Sequence, residues 1–319
     1  WQGLGSATSV TWTKDVTAAT VSMVTSAKPD GEYRSGEIIA IKVIFSEIVN
    51  VTGMPQLTIE TGLSDAIADY ASGTGTATLT FNYTIGSLDA SADLDYVGSG
   101  ALALNSGTIR DLADNPATLT LAAPGAANSL GNNKDIVVDN IPPSGILLLA
   151  DGKPYENSQA PSIFLSVSGP ALEYQLCATS ALAGMNCGTL YREWAPFTTQ
   201  PPPYYFGADG NTTLYVQFRD AAGNISATVD DSIIIDTESP TPPSDVSFPT
   251  YAASTSAPLT WLDGDDNESF YTHNIRACTN SDCSTGCVGD KTDTASAGII
   301  DGLVDGSDYY GCVQSVDSA

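Results

Sequence analysis

A segment that recurs three times along the chain does most to limit its fold. It reads DIVVDNIPPSG at 135–145, DSIIIDTESPTPP at 231–243 and, in a divergent copy, SVTWTKDVTAAT at 9–20. Each copy has a β-branched run, then one aspartate (Asp15, Asp139 or Asp236), then small residues or prolines. Because proline cannot donate a main-chain hydrogen bond to a sheet, the segment ends a strand and opens a linker. It therefore predicts domain boundaries.

Between these boundaries the pattern is that of an all-β protein. Short apolar and aromatic runs, such as GEIIAIKVIFSEIV (36–49), SIFLSVSG (162–169) and APLTWLDG (257–264), alternate with Gly, Pro, Asn and Asp. Helical periodicity is almost absent, and the spacing of the runs is typical of β-sandwich strands. A chain of 319 residues is long enough for two or three such domains.

A second repeat fixes the predicted domain limits. RDLADN at 110–115 matches RDAAGN at 219–224, each followed by a further predicted strand (ATLTL, ISATV), and a shorter relative, VDSA, stands at 316–319. We interpret residues 1–15 as the last strand of a preceding domain. Domains are then predicted at 16–139, 140–236 and 237–319, the last of them without its final strand.

The charge of the chain excludes two classes of partner. It has 37 acidic and 11 basic residues, a formal net charge of -26. Nucleic acids and anionic membranes both require Lys and Arg to neutralise phosphates, so neither is an expected partner. The sequence has no apolar run of about 18 residues, so no membrane insertion is expected in this fragment.

Cysteine usage indicates disulfides. The six cysteines all lie in the second half of the chain, two in one predicted domain and four in the next: Cys177, Cys187, Cys278, Cys283, Cys287 and Cys312. Even numbers favour disulfide sets, and hence an oxidising, extracellular location. Zinc is the alternative for Cys278, Cys283 and Cys287, but no Cys-x-x-Cys pair exists and His273 is the only histidine.

The sequence also resembles known repeat families. VIFSEIVNVTGMPQLTIETG (43–62) and ALALNSGTIRDLADNPATLTL (101–121) resemble the tandem bacterial immunoglobulin-like repeats of adhesin-type surface arrays. The 145–236 segment, with LYVQFRDAAGNIS, is similar to a second immunoglobulin-like type. The 240–319 segment, with APLTW and IIDGLVDGSDYYGCVQSVD, resembles a fibronectin type III domain.

The resemblance implies tandem immunoglobulin-like and fibronectin type III-like β-sandwiches in an elongated array. It also implies a non-enzymatic fragment of a bacterial cell-surface or secreted adhesin, acting as a calcium-stiffened stalk or spacer that presents a binding element. The expected partner is a surface protein or glycan of a host or neighbouring cell, contacted through parts outside this fragment.

The resemblance also implies positions at which calcium could bind. In such sandwiches the turn between the sixth and seventh strands lies where the chain enters the domain. Three carboxylate pairs are then expected at domain junctions: Asp15 with Asp111, Asp139 with Asp220, and Asp236 with Asp317. Oxygen-only sites of this kind suit calcium. The alternative is that these aspartates accept hydrogen bonds from turn amides.

The disulfide map is drawn by analogy between two predicted hairpins. Cys177 ends LEYQLC and Cys278 ends HNIRAC, and a cysteine follows each at a similar spacing. We expect Cys177–Cys187, Cys278–Cys287 and, by elimination, Cys283–Cys312. The competing map for the last domain joins Cys278 to Cys283 and Cys287 to Cys312, and the sequence leaves both open.

Two other features offer alternatives. WLDGDDNESF (261–270) is dense in acids but lacks the glycine and terminal glutamate spacing of an EF-hand, so we interpret it as a solvated loop, with a weak calcium site as the alternative. Aromatic residues between 191 and 206 could stack on sugars, making the chain a carbohydrate-binding accessory module of an extracellular enzyme, or could pack in a core. Catalysis is not expected, since His273 lies in an alternating strand and no phosphate-binding loop is present.

Overall fold

A computed structural model describes residues 14–178, 190–266 and 272–317. Apart from one short helix, α1 (Leu130–Asn133), and a 3-10 turn at Ala150–Gly152, its regular elements are β-strands. The chain divides into two compact units. One comprises Trp1–Pro143 with Arg219–Ile225, and the other comprises Ser144–Phe218 with Ser226–Ala319.

The first unit is built from short antiparallel strands around one long one. Its strands are β1 (Val21–Ser26), β2 (Gly31–Tyr33), β3 (Ile38–Thr52), β4 (Gln56–Ile59), β5 (Ala66–Ser72), β6 (Thr76–Thr84), β7 (Leu102–Ala103), β8 (Thr108–Asp111) and β9 (Ile136–Val138). They pair in the order β1-β3-β6-β5-β4-β7, with β8 beside β3, while β2 pairs with β9 in parallel.

Strand β3 changes partner along its length. Ile38–Ile44 pairs with β6, and Val49–Thr52 pairs with β8, with an irregular register between them. Alternate β3 side chains, such as Ile41 and Val43, are fully buried and share a core with Phe81 of β6. The period-2 alternation seen in the sequence is therefore the physical basis of this core.

One predicted strand of this unit is wrong. ATLTL (117–121) forms only an isolated bridge, between Thr118 and Thr20, and the strand that follows RDLADN is β9. Likewise, the strand after RDAAGN begins at Val229, beyond most of ISATV. In the first repeat Pro116 precedes the segment, and proline at a strand entrance cannot contribute to the ladder.

The second unit contains the remaining strands. These are β10 (Ser144–Leu149), β11 (Tyr155–Glu156), β12 (Ile163–Ser168), β13 (Ala171–Cys177), β14 (Leu190–Pro196), β15 (Gly210–Asp220), β16 (Val229–Ile235), β17 (Ser244–Ser247), β18 (Ser256–Leu262), β19 (Thr272–Cys278), β20 (Val288–Asp293), β21 (Ala297–Asp301) and β22 (Tyr310–Val316).

Their sheets enclose two separate apolar clusters. The pair β10-β12 and the sheet β11-β16-β15-β13-β14 bury Leu147, Tyr174 and Phe218 between them. The sheets β17-β18-β21 and β20-β19-β22 bury Trp261 and Ile275. Two sheets facing each other across a shared core make a β-sandwich.

The predicted fold class, all-β with tandem immunoglobulin-like and fibronectin type III-like sandwiches, is confirmed. A cluster of buried apolar side chains accompanies each of the three predicted domains within the described residues. The domain limits drawn from the sequence stay predictions.

Candidate metal sites at the recurring aspartates

Each linker aspartate makes the same local turn. One carboxylate oxygen, Oδ1, accepts a hydrogen bond from the amide two residues later, so that the side chain closes a local turn. For Asp139 and Asp236 this turn directly follows a strand, β9 or β16. The three bonds are Thr17 N to Asp15 at 2.9 Å, Ile141 N to Asp139 at 2.8 Å and Glu238 N to Asp236 at 3.3 Å. The recurrence of aspartate at the boundaries thus has a direct structural cause.

In the first repeat an asparagine connects the turn to the linker. Asn115 donates its main-chain N–H to Asp111 Oδ1 at 2.8 Å and its side-chain Nδ2 to Asp111 Oδ2 at 2.8 Å. The same Nδ2 lies 3.4 Å from the main-chain oxygen of Asp15. RDLADN therefore holds the linker residue as well as closing its own turn.

The RDAAGN repeat, which groups with the first unit, reproduces this arrangement. Asn224 donates its N–H to Asp220 Oδ1 at 2.8 Å and its Nδ2 to Asp220 Oδ2 at 2.9 Å. Its Nδ2 also donates to the main-chain oxygen of Asp139 at 3.0 Å. The fifth turn position has positive φ in both repeats, at Asp114 and Gly223, as the turn interpretation requires.

These hydrogen bonds favour the ionised form of Asp111. Burial acts to raise its pKa, but hydrogen bonds from the Asn115 side chain and from the main chain of Asn115 and Ala113 outweigh it and hold the pKa below its usual value. A carboxylate stabilised in this way is also in the form that a metal ion requires.

A third carboxylate joins the first pair. One carboxylate oxygen each from Asp15, Glu47 and Asp111 lie within 4.8 Å of one another. Glu47 falls in the irregular stretch of β3 between its pairing with β6 and with β8. Glu47 was not predicted as a ligand, because in the sequence it is one position in a continuous predicted strand.

A similar group forms in the second unit. Carboxylate oxygens of Asp236, Asp266 and Asp317 also lie within 4.8 Å of one another. Asp266 belongs to the acidic loop 261–270, which was predicted to be solvated, with a weak calcium site as the alternative. Asp236 is fully buried, and within the described part of the chain its Oδ2 has no hydrogen-bond partner. A buried carboxylate oxygen without a partner is costly, and a cation bound there would supply the missing interaction.

The pair Asp139 and Asp220 differs from the other two. Within the described residues, no third carboxylate joins them to form a group of three. A cation of the chain is nearby instead, since Arg34 Nη1 donates to the main-chain oxygen of Gly223. The three junction pairs predicted as equivalent are therefore chemically unequal.

The cysteines of the last predicted domain are joined as in the first of the two maps. The structure has disulfides Cys278–Cys287 and Cys283–Cys312. The proximity of Cys278, Cys283 and Cys312 therefore reflects disulfide bonding rather than a thiolate metal site. The predicted Cys177–Cys187 bond involves Cys187, which lies outside the described residues, and stays a prediction.

Most of the aromatic candidate residues, and His273, are buried or packed against a core. Phe197, Tyr204 and Phe206 pack against the core beneath β15, whereas Tyr205 is exposed. His273 is buried beside the Trp261 ring, 3.5 Å from Asp263. This packing favours the structural interpretation of these aromatic residues over a sugar-stacking platform.

The side-chain hydrogen bonds of Asn224 lead to a prediction about stability. Asn224→Ala removes both bonds of the side-chain Nδ2, to Asp220 Oδ2 and to the main-chain oxygen of Asp139, while the main-chain N–H of residue 224 can still donate to Asp220 Oδ1. Asp220 is only 4% exposed, so its Oδ2 is left without this donor in a buried position. We expect a loss of about 1–3 kcal/mol in unfolding free energy, the usual cost of an unsatisfied buried group. Urea denaturation measures it, with exposed Asn157→Ala as the control. Equal effects of the two substitutions on the unfolding free energy would contradict a stabilising role for the Asn224 side-chain hydrogen bonds.

Comparison with known proteins does not assign the chain to a family. No family model and no curated protein matches the chain. Similar solved structures include titin domains, at 12% identity and a TM-score of 0.39, with 94% of both chains covered. Fibronectin(III)-like modules of Clostridium thermocellum CbhA match at 15% identity and 0.28, covering 67% of this chain and 94% of that one. The FN1-FN3 domains of chicken CNTN1 match at 13% identity and 0.34, with 94% of both chains covered.

Among the described residues, no helix has the length and apolar character needed to cross a bilayer.

Proposed function

We propose that this chain is a non-enzymatic spacer segment of a bacterial cell-surface or secreted adhesin, stiffened by calcium at its domain junctions. The observation that carries the proposal is the pair of three-carboxylate groups that include a linker aspartate, one with Asp15, Glu47 and Asp111 and one with Asp236, Asp266 and Asp317. In each group the linker aspartate is already oriented by its turn hydrogen bond.

The donor set fits calcium better than the alternatives. Each group offers only carboxylate oxygens, which are hard ligands, and neither contains a histidine or cysteine. Main-chain oxygens are also available nearby, since Asn115 already contacts that of Asp15. Calcium would neutralise three converging negative charges in a chain whose net charge is -26. Asp139 and Asp220 form the weakest of the proposed sites, because they lack a third acid.

An extracellular location accords with this role. The disulfides Cys278–Cys287 and Cys283–Cys312 require an oxidising compartment to persist. Calcium is abundant outside cells, where weak sites of this class operate. The spacer would present a binding element carried elsewhere in the protein, toward a surface protein or glycan of another cell.

Calcium binding is tested by thermal unfolding of the whole chain. We expect a higher melting temperature in calcium than in chelator, since a ligand bound only by the folded state stabilises it by about 2.7 kcal/mol at 100 times its Kd. Magnesium at equal ionic strength is the control, because it screens the acidic surface equally but demands a tighter octahedral site. Superimposable curves in calcium and chelator would refute the proposal.

A further inference from the structure

A polar cavity lies on the outer face of the sheet β20-β19-β22, away from the aspartate groups. Its volume is about 620 Å³, and the disulfide Cys283–Cys312 ties the 279–287 loop to β22 at its rim. Ile275 and Ala277 of β19 are buried in the core, so the intervening Arg276 lies on the opposite face. The strand alternation thus lines this cavity with polar side chains.

Arg276 is the unusual member of the lining. It is partly buried, yet among the described residues its guanidinium makes no hydrogen bond or ion pair. By comparison, Lys28 and Lys134 each contact an acid within 4 Å. Asp282 and Asp290 line the same cavity, yet neither is paired with Arg276, so its guanidinium donors are available to an anionic ligand.

The neighbouring side chains suit a hydroxyl-rich ligand. The strand register places Thr292, Asn274 and Gln314 side by side across the sheet, next to Arg276. Amide side chains both donate and accept, and the exposed Asp290 carboxylate lines the same cavity as an acceptor. Neighbouring strands lie about 4.8 Å apart, so these groups can contact successive hydroxyls of one sugar ring.

We propose that this cavity binds an acidic saccharide, with the sugar carboxylate on Arg276 and hydroxyl groups on Asn274, Gln314 and Asp290. An arginine fork matches a carboxylate bidentately, which gives both strength and orientation. A peptide carboxylate is disfavoured because Ile275 is only 1% exposed and Val313 packs against the core, so no apolar surface is left for peptide side chains. This site goes beyond the spacer role and does not depend on calcium.

Binding of a galacturonic acid trisaccharide to the whole chain tests the site, with maltotriose as the neutral control of equal length. Chelator is present throughout, so that calcium cannot bridge sugar and protein. Saturation-transfer NMR and calorimetry should show saturable binding of the acidic sugar only, weakened by added salt. Arg276→Gln should lower the affinity about tenfold or more, the usual worth of a charged hydrogen-bonded pair.

Two further variants make the test specific. Arg276→Lys should bind with intermediate affinity, because lysine keeps the charge but not the fork. Arg110→Gln, which removes an arginine that already contacts Asp114, should bind as the unmodified chain does. Absence of galacturonate binding, or full binding by Arg276→Gln with an unchanged melting curve, would overturn the proposal. Equal affinity for a tripeptide with a free carboxylate would overturn the assignment to a saccharide.

Discussion

Asp236→Asn is expected to lower the melting temperature in calcium and to leave it unchanged, or raise it, in chelator. Asp236 is fully buried, and its Oδ2 has no hydrogen-bond partner among the residues that the structure describes. With calcium present, the substitution removes a charged ligand from the group with Asp266 and Asp317. Without calcium, it removes a buried negative charge held near two others, which relieves repulsion and desolvation.

Because the expected change in melting temperature differs between calcium and chelator, this substitution is more informative than one that only lowers stability. Loss of calcium affinity should remove about 2–3 kcal/mol of stabilisation at saturating calcium, given the mass-action term. Thermal unfolding followed by circular dichroism in both buffers measures the effect. Asp305→Asn, which neutralises an exposed acid in the same predicted domain, is the charge-matched control and should change little in either buffer. Stabilisation by Asp236→Asn of the same size in calcium and in chelator would show that no cation binds there.

Loss of the Cys283–Cys312 disulfide is expected to destabilise the last predicted domain more than loss of Cys278–Cys287. The two bonds span sequence separations of 29 and 9 residues. Loop-closure entropy gives them about 3.5 and about 2.5 kcal/mol respectively, by restricting the unfolded chain. The core here is small, with Leu259, Trp261 and Ile275 among its few buried residues, so either loss is a large fraction of its stability.

Double Cys→Ser variants of each pair, unfolded in denaturant, measure the order of the two effects. The map itself is checked by peptide mapping without reduction, which should recover Cys278 linked to Cys287 and Cys283 linked to Cys312. Recovery of Cys278–Cys283 would contradict the pairing in the structure. Recovery of free thiols would also contradict the extracellular location proposed from the disulfides. The Cys177–Cys187 link is read from the same digest.

The sequence alone was sufficient for the fold class and for two of the three carboxylates in each three-carboxylate group. Period-2 alternation is a local property, so β3 and β19 could be recognised without knowing their partners. The turn chemistry of Asp111 and Asn115 is equally local, since the groups that bond are four residues apart. Cysteine spacing likewise narrowed the pairing of the last domain to two favoured maps.

The remaining ligands were decided only by tertiary structure. Glu47 could not be singled out from its neighbours in β3, because its role depends on where that strand exchanges β6 for β8. Asp266 joins Asp236 and Asp317 from a loop some 30 residues from the first and some 50 from the second, which no local pattern encodes. The lack of a partner for Arg276 is likewise a property of the packed sheet. Local patterns determine which residues form strands, whereas pairing between distant strands determines which side chains meet.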